Sequence, residues 1–242
     1  MESVEINGVR LAYREAGDPD GTPAVLLHGS GSSSTTWDRF APRLTGHRTI
    51  AVDLRGHGAS GRPGDYSLAG LRDDLLGLLQ ALDLRDALVV GHSVGAYIAL
   101  AAAAEVPERI ARLVLEDLAA PPRRAERVRG INPFQVLAAV AGIVSVRRDY
   151  DLRALASLLS QLTRPDLAWW SRLGAARQPT LVLSGGPTSC IPPRRLAEAV
   201  AEMHDARLAT IPVGHRVHSL APDRFATEVL SFLTATAHSV PA

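Results

Sequence analysis

Lysine is missing from this chain of 242 residues; arginine supplies every one of the 26 Lys/Arg positions. The absence removes a Walker A phosphate loop, a Schiff-base lysine for pyridoxal phosphate and a Ser-Lys dyad. Cysteine occurs once, at Cys190, so neither an intrachain disulfide nor a thiolate metal site is expected. Charge of one sign is also lacking. The formal net charge is +1, which gives no bulk reason to expect nucleic acid or an anionic membrane as partner. Long apolar runs are absent. The most apolar stretch, 94–104, falls short of the roughly 18 residues of a membrane span. The opening residues carry no basic segment followed by an apolar run, so no secretory leader is expected, and the default location is cytoplasmic.

The length suits one domain, with or without an inserted subdomain. Residues 4–6 and 9–13 flank Asn7-Gly8, a two-residue turn signal that predicts an opening hairpin. Short apolar runs follow at 24–27, 49–52, 87–90, 113–115, 180–183 and 208–211. They are apolar throughout, as strands covered on both faces are. Helical patterns separate them. Leu68, Leu71, Leu75, Leu78, Leu79 and Leu82 recur at three- and four-residue spacing. An Ala-rich helix is expected over 94–104, another after Pro192-Pro193 through Met203, and a last one opened by Pro222-Asp223 through Leu233. This alternation predicts an α/β fold with a mostly parallel sheet. Residues 121–170 hold no strand pattern and read as a helical insertion. It divides the core into 1–120 and 171–242.

Gly91-His92-Ser93-Val94-Gly95 is a G-x-S-x-G pentapeptide between an apolar strand and a helix. That is the context of a nucleophile elbow. The tight turn lifts Ser93 out of the sheet, and small residues two before and two after let strand and helix approach. His28-Gly29-Ser30-Gly31 with Trp37 ends an earlier strand. Asp53-Leu54-Arg55-Gly56-His57-Gly58-Ala59-Ser60 ends another, and Gly214-His215 comes after the last.

In this order the four motifs resemble the α/β-hydrolase superfamily over nearly the whole chain. The resemblance implies a doubly wound, mostly parallel, eight-stranded sheet with a helical cap over 121–170. It implies Ser93 as nucleophile and His215 as its base, with His218 on the same loop as the other candidate. It places an oxyanion hole at the N–H groups of Ser30 and Val94. His28, His57 and His92, each beside a motif glycine, read as scaffold for their turns. No metal or organic cofactor is implied.

The orienting acid departs from the usual pattern. The family places an Asp after its seventh strand, but the stretch from Ser184 to Arg195 contains no carboxylate, and Thr188 stands at the expected position. Some members carry the acid after the sixth strand, where this chain has Glu116-Asp117. Asp117 is the expected acid and Glu116 the alternative; a dyad oriented by Thr188 is a third arrangement. Trp37, Phe134, Leu137 and Trp169-Trp170 are the expected pocket walls, although they could equally knit cap to core. The arginines at 123, 124, 127 and 129 could meet an anionic carrier of a thioester, though a solvated basic face accounts for them too. The expected reaction is cleavage of an ester, thioester or lactone of a small molecule. Acyl transfer, cyclisation or perhydrolysis would use the same residues, and a non-catalytic ligand-binding homologue would lack a working acid. Cys190 reads as a small thiol rather than a nucleophile.

Overall fold

The computed structural model describes residues 1–124 and 149–236. Eight strands form one sheet in the order β1-β2-β4-β3-β5-β6-β7-β8. The first two, β1 (Glu2–Ile6) and β2 (Val9–Gly17), make the hairpin. β2 runs antiparallel to β4 (His47–Val52). From there the pairing is parallel through β3 (Thr22–Leu27), β5 (Ala87–His92), β6 (Ile110–Glu116), β7 (Thr180–Ser184) and β8 (Ala206–Thr210). β2 continues four residues beyond its apolar run. Its polar end still finds a ladder, with Ala16 opposite Thr49 and Gly17 opposite Arg48.

Alternation along the central strands sends side chains to two separate cores. Val25 and Leu27 of β3 join one core with Val89, Leu113 and Leu115. Helices α1 (Leu68–Ala81) and α2 (Val94–Ala103) cover that face through Leu71, Leu75, Leu78, Ala96 and Ile98, and α5 (Pro193–Glu202) extends it with Leu196 and Ala199. Ala24, Leu26, Leu88 and Val90 face the other core. There Trp37 and Phe40 meet α7 (Pro222–Thr236) at Phe225, Val229 and Phe232. Between β6 and β7 lie α3 (Leu152–Leu162) and α4 (Leu167–Ser171). Asp151 caps α3 and also accepts the Tyr66 hydroxyl at 2.7 Å, while the Gln161 side chain accepts from Leu68 N at 3.0 Å. These bonds tie the insertion to the start of α1. The remaining short helix, α6 (Val217–Leu220), follows β8.

The turn after β4 is fixed by side chains acting on backbone. Asp53 accepts Ser34 N at 2.7 Å and Ala59 N at 2.9 Å, which joins this turn to the loop after β3. The buried Ser60 hydroxyl donates to Asp53 O at 2.6 Å and accepts Ala12 N at 2.8 Å. Ser60→Ala should lower stability by about 2 kcal/mol, because a buried donor and acceptor both lose their partner. Urea unfolding would measure it, and a change under about 0.5 kcal/mol would refute this role.

Candidate active site

The loops leaving the carboxyl ends of β3, β5, β6, β7 and β8 meet at one edge of the sheet. Ser93 lies between β5 and α2 with φ 54° and ψ −113°. A side chain held in that region of backbone space needs support from its surroundings. Two glycines allow the turn. A Cβ at Gly91 would fall 2.5 Å from Ala96 N, and one at Gly95 would run into Leu27 O. Ser93 N donates to Glu116 O at 2.9 Å, and Ser93 O accepts Ala119 N at 3.3 Å. The elbow is thereby bonded to the loop that carries Asp117.

Asp117 is fully buried and has a positive φ of 44°. Its Oδ1 accepts Gly185 N at 2.8 Å, and its Oδ2 accepts His215 Nδ1–H at 2.9 Å. The Ser189 hydroxyl donates to the same Oδ2. His215 is held a second time through its carbonyl, which accepts Nε2–H of His92 at 2.8 Å. The His92 and His215 rings stand 4.7 Å apart. Burial disfavours the His215 imidazolium. The hydrogen bond to Asp117 and the influence of the Cys190 sulfur outweigh it and push its pKa up to about 10.

The neighbouring histidines serve the turns. His28 Nδ1–H donates to Gly29 O at 2.7 Å, and its Nε2 accepts Leu54 N at 3.0 Å. His57 donates from Nδ1 to Arg55 O at 3.0 Å and accepts Gly31 N at 3.1 Å. Burial drives His28 and His92 down to about 3 and lowers His57, so all three rings are neutral near pH 7. This bonding shapes the loop that presents Ser30. Among the described residues the Ser30 N–H has no acceptor. Val94 opens α2, so its N–H belongs to the first helical turn and has no acceptor within the helix.

Residues 24–228 match the profile of the alpha/beta hydrolase family. The chain belongs to that family. An uncharacterized protein of Mycobacterium tuberculosis is 40% identical over 112 residues, which cover 46% of this chain and 32% of the relative. The chain thus spans about a third of the length of the first curated relatives it matches. Two solved structures align over nearly their full extent. A hydrolase from Pseudomonas aeruginosa PA01 superposes with a TM-score of 0.81 at 29% identity, covering 96% of this chain and 97% of that one. The enol-lactonase from Burkholderia xenovorans LB400 gives 0.81 at 26% identity, covering 96% and 100%.

Within the family frame, the structure pairs the two consecutive carboxylates with two different histidines. Asp117 meets His215, and Glu116 meets His218 at 2.6 Å. Thr188 is exposed and lies against Gly214; no hydrogen bond joins it to His215 among the described residues. Trp37, expected to line the substrate pocket, is instead fully buried, with its ring 4.4 Å from that of His218 and 6.2 Å from that of Phe225. Its motif position brings it to the face covered by α7. Phe134 and Leu137 lie outside the described residues, as do Arg127 and Arg129. Trp169 stacks on Tyr97 with ring centres 5.9 Å apart. It borders a cavity of about 490 Å³ between α1, α2 and α4, which neither Ser93 nor His215 lines. Trp170 donates its indole N–H to Pro121 O at 3.0 Å, and the Arg123 guanidinium lies 3.9 Å over its ring. Sequence reasoning missed Ser189. Its only signal was that the loop lacking an acid still carries hydroxyls.

Proposed function

We propose that this chain is a serine hydrolase cleaving an ester, thioester or lactone of a small organic substrate through an acyl-enzyme on Ser93. The observation that carries the reading is the pair of a fully buried Asp117 and a partly exposed His215, bonded into the same loop that holds the strained Ser93 elbow. Asp117 accepts Nδ1–H, which leaves Nε2 of His215 to take the proton of Ser93 Oγ. Oγ then bonds the acyl carbon. The carbonyl electron pair moves onto oxygen, which the N–H groups of Ser30 and Val94 stabilise. The intermediate collapses, the bond to the leaving group breaks, and His215 returns its proton to that group. Water attacks the acyl-enzyme by the same steps in reverse and releases the acid.

The family membership and the enol-lactonase likeness support acyl chemistry on a small substrate, and no residue of this route calls for a metal or organic cofactor. On this reading the insertion between β6 and β7, of which residues 121–124 and 149–170 are described, acts as a cap. Intact mass after incubation with a fluorophosphonate tests the reading. Wild type should gain one adduct and Ser93→Ala none. Folded wild type that gains no adduct would sink it.

A further inference from the structure

Two buried groups at the site have no part in the route above. Glu116 and His218 have fully buried side chains. Glu116 holds His218 twice, accepting its backbone N–H at 3.0 Å and its Nδ1–H at 2.6 Å. With Nδ1 so engaged, His218 Nε2 takes the Thr36 hydroxyl at 2.6 Å. Burial alone would push Glu116 up, but His218, bonded to it through both ring and backbone N–H, prevails and holds it below its usual range. A buried carboxylate that stays charged costs much unless its partners are well placed.

Each link of this chain sits on a different part of the site. Glu116 is the last residue of β6 and precedes Asp117. His218 lies on α6, three residues after His215. Thr36 belongs to the short 3-10 turn Ser34–Trp37 on the loop after β3 that also carries the Ser30 donor. The His92 ring, next to Ser93 in sequence, stands 5.1 Å from His218 and 4.7 Å from His215. A single run of hydrogen bonds, buried at Glu116 and His218 and half-buried at Thr36, therefore crosses from the acid strand to the base loop to the oxyanion loop.

We propose that Glu116, His218 and Thr36 are positioning residues that fix the His215 loop against the Ser30 loop, so that base and oxyanion donors keep one relative placement. The inference rests on the serine-hydrolase reading for its effect on rate. It also has a consequence independent of rate, because the network fixes the His215–Asp117 geometry itself. Displacement of a catalytic group by about 1 Å costs on the order of 10²-fold in rate. Glu116 touches no reacting atom, so substrate binding should be spared.

The test uses the full chain and three variants: Glu116→Ala, Glu116→Gln and Thr36→Val. Each is assayed for hydrolysis of p-nitrophenyl acetate and for fluorophosphonate labelling, well below its melting temperature. The His215 Nδ1 proton is followed by NMR in histidine-labelled protein. Glu116→Ala should lose roughly 10- to 100-fold in kcat and labelling rate, keep KM within about threefold, and broaden or shift the His215 Nδ1 proton signal. Glu116→Gln should recover most of the rate, since its amide oxygen can still accept the His218 backbone N–H while its NH2 donates to Nδ1 of the other His218 tautomer, whose Nε2–H then donates to the Thr36 hydroxyl. Folded Glu116→Ala with wild-type kcat and an unchanged His215 signal would overturn the proposal, as would a Gln variant no better than Ala. If Glu116→Ala does not fold, Thr36→Val decides on the same readouts, with roughly a three- to tenfold fall in kcat expected and wild-type behaviour overturning it. Wild type that fails to label would end the serine-hydrolase reading alone, because the NMR signal still reports whether the network holds His215.

Discussion

Asp117→Asn should lower kcat by about 10⁴-fold while leaving the fold and KM nearly intact. The asparagine has the same shape, and its amide oxygen can still accept Gly185 N in place of Oδ1. The amide nitrogen then stands where Oδ2 receives His215 and Ser189. It would point N–H groups at His215 Nδ1, and the ring must answer with its other tautomer. Nε2 then carries the proton and cannot take one from Ser93. The loss is larger than that expected for Glu116→Ala, since Asp117 acts on the base itself and Glu116 acts through the loop. Steady-state kinetics on p-nitrophenyl acetate, with thermal melts as a check on folding, would measure it. A fall under about tenfold would mean that another group orients the base.

The parts of this site legible in the sequence are those that depend on local backbone. The elbow needs glycine at 91 and 95 because strand and helix nearly touch, and that requirement is written in consecutive residues. The central strands could be found because their runs are apolar on both faces, and both faces are covered; β8, at the edge of the sheet, is instead largely exposed. Asp117 was reachable only by asking where an acid could stand once the β7 loop held none. What remained hidden depends on contacts between residues far apart in the chain. Nothing in the sequence near Thr36 foretells a partner 182 positions away at His218. The sorting of Glu116 and Asp117 between His218 and His215 follows from Asp117 leaving the strand at positive φ. That turn is a property of the packed loop rather than of its residue types. Trp37 was misplaced for a related reason: its motif marks a position after β3, but the covering helix α7 decides which way that position is buried.

The rate should climb with pH well past neutrality. Burial acts against the His215 imidazolium, yet the bond to Asp117 and the influence of the Cys190 sulfur raise its pKa to about 10. The base works only without its extra proton, and kcat/KM reports the free enzyme. Below that pKa the rate should rise ~10-fold per pH unit, hence ~10³-fold between pH 7 and the plateau. Cys190 makes the prediction specific. It stands on the loop where other members carry their acid, and it helps keep His215 protonated. Cys190→Ala should therefore move the bend of the profile to lower pH and raise activity at pH 7, although the residue takes no part in the chemistry. Stability carries the same signature. The folded pKa lies above the unfolded value of about 6.5, so the contribution of the protonated pair is complete below about 6.5. It is lost as pH rises through the folded pKa of about 10. Unfolding in urea across that window should show a decline that is smaller in Cys190→Ala. A wild-type kcat/KM already level at pH 7 would show that His215 rests unprotonated there, and that Asp117 and Cys190 do not outweigh its burial.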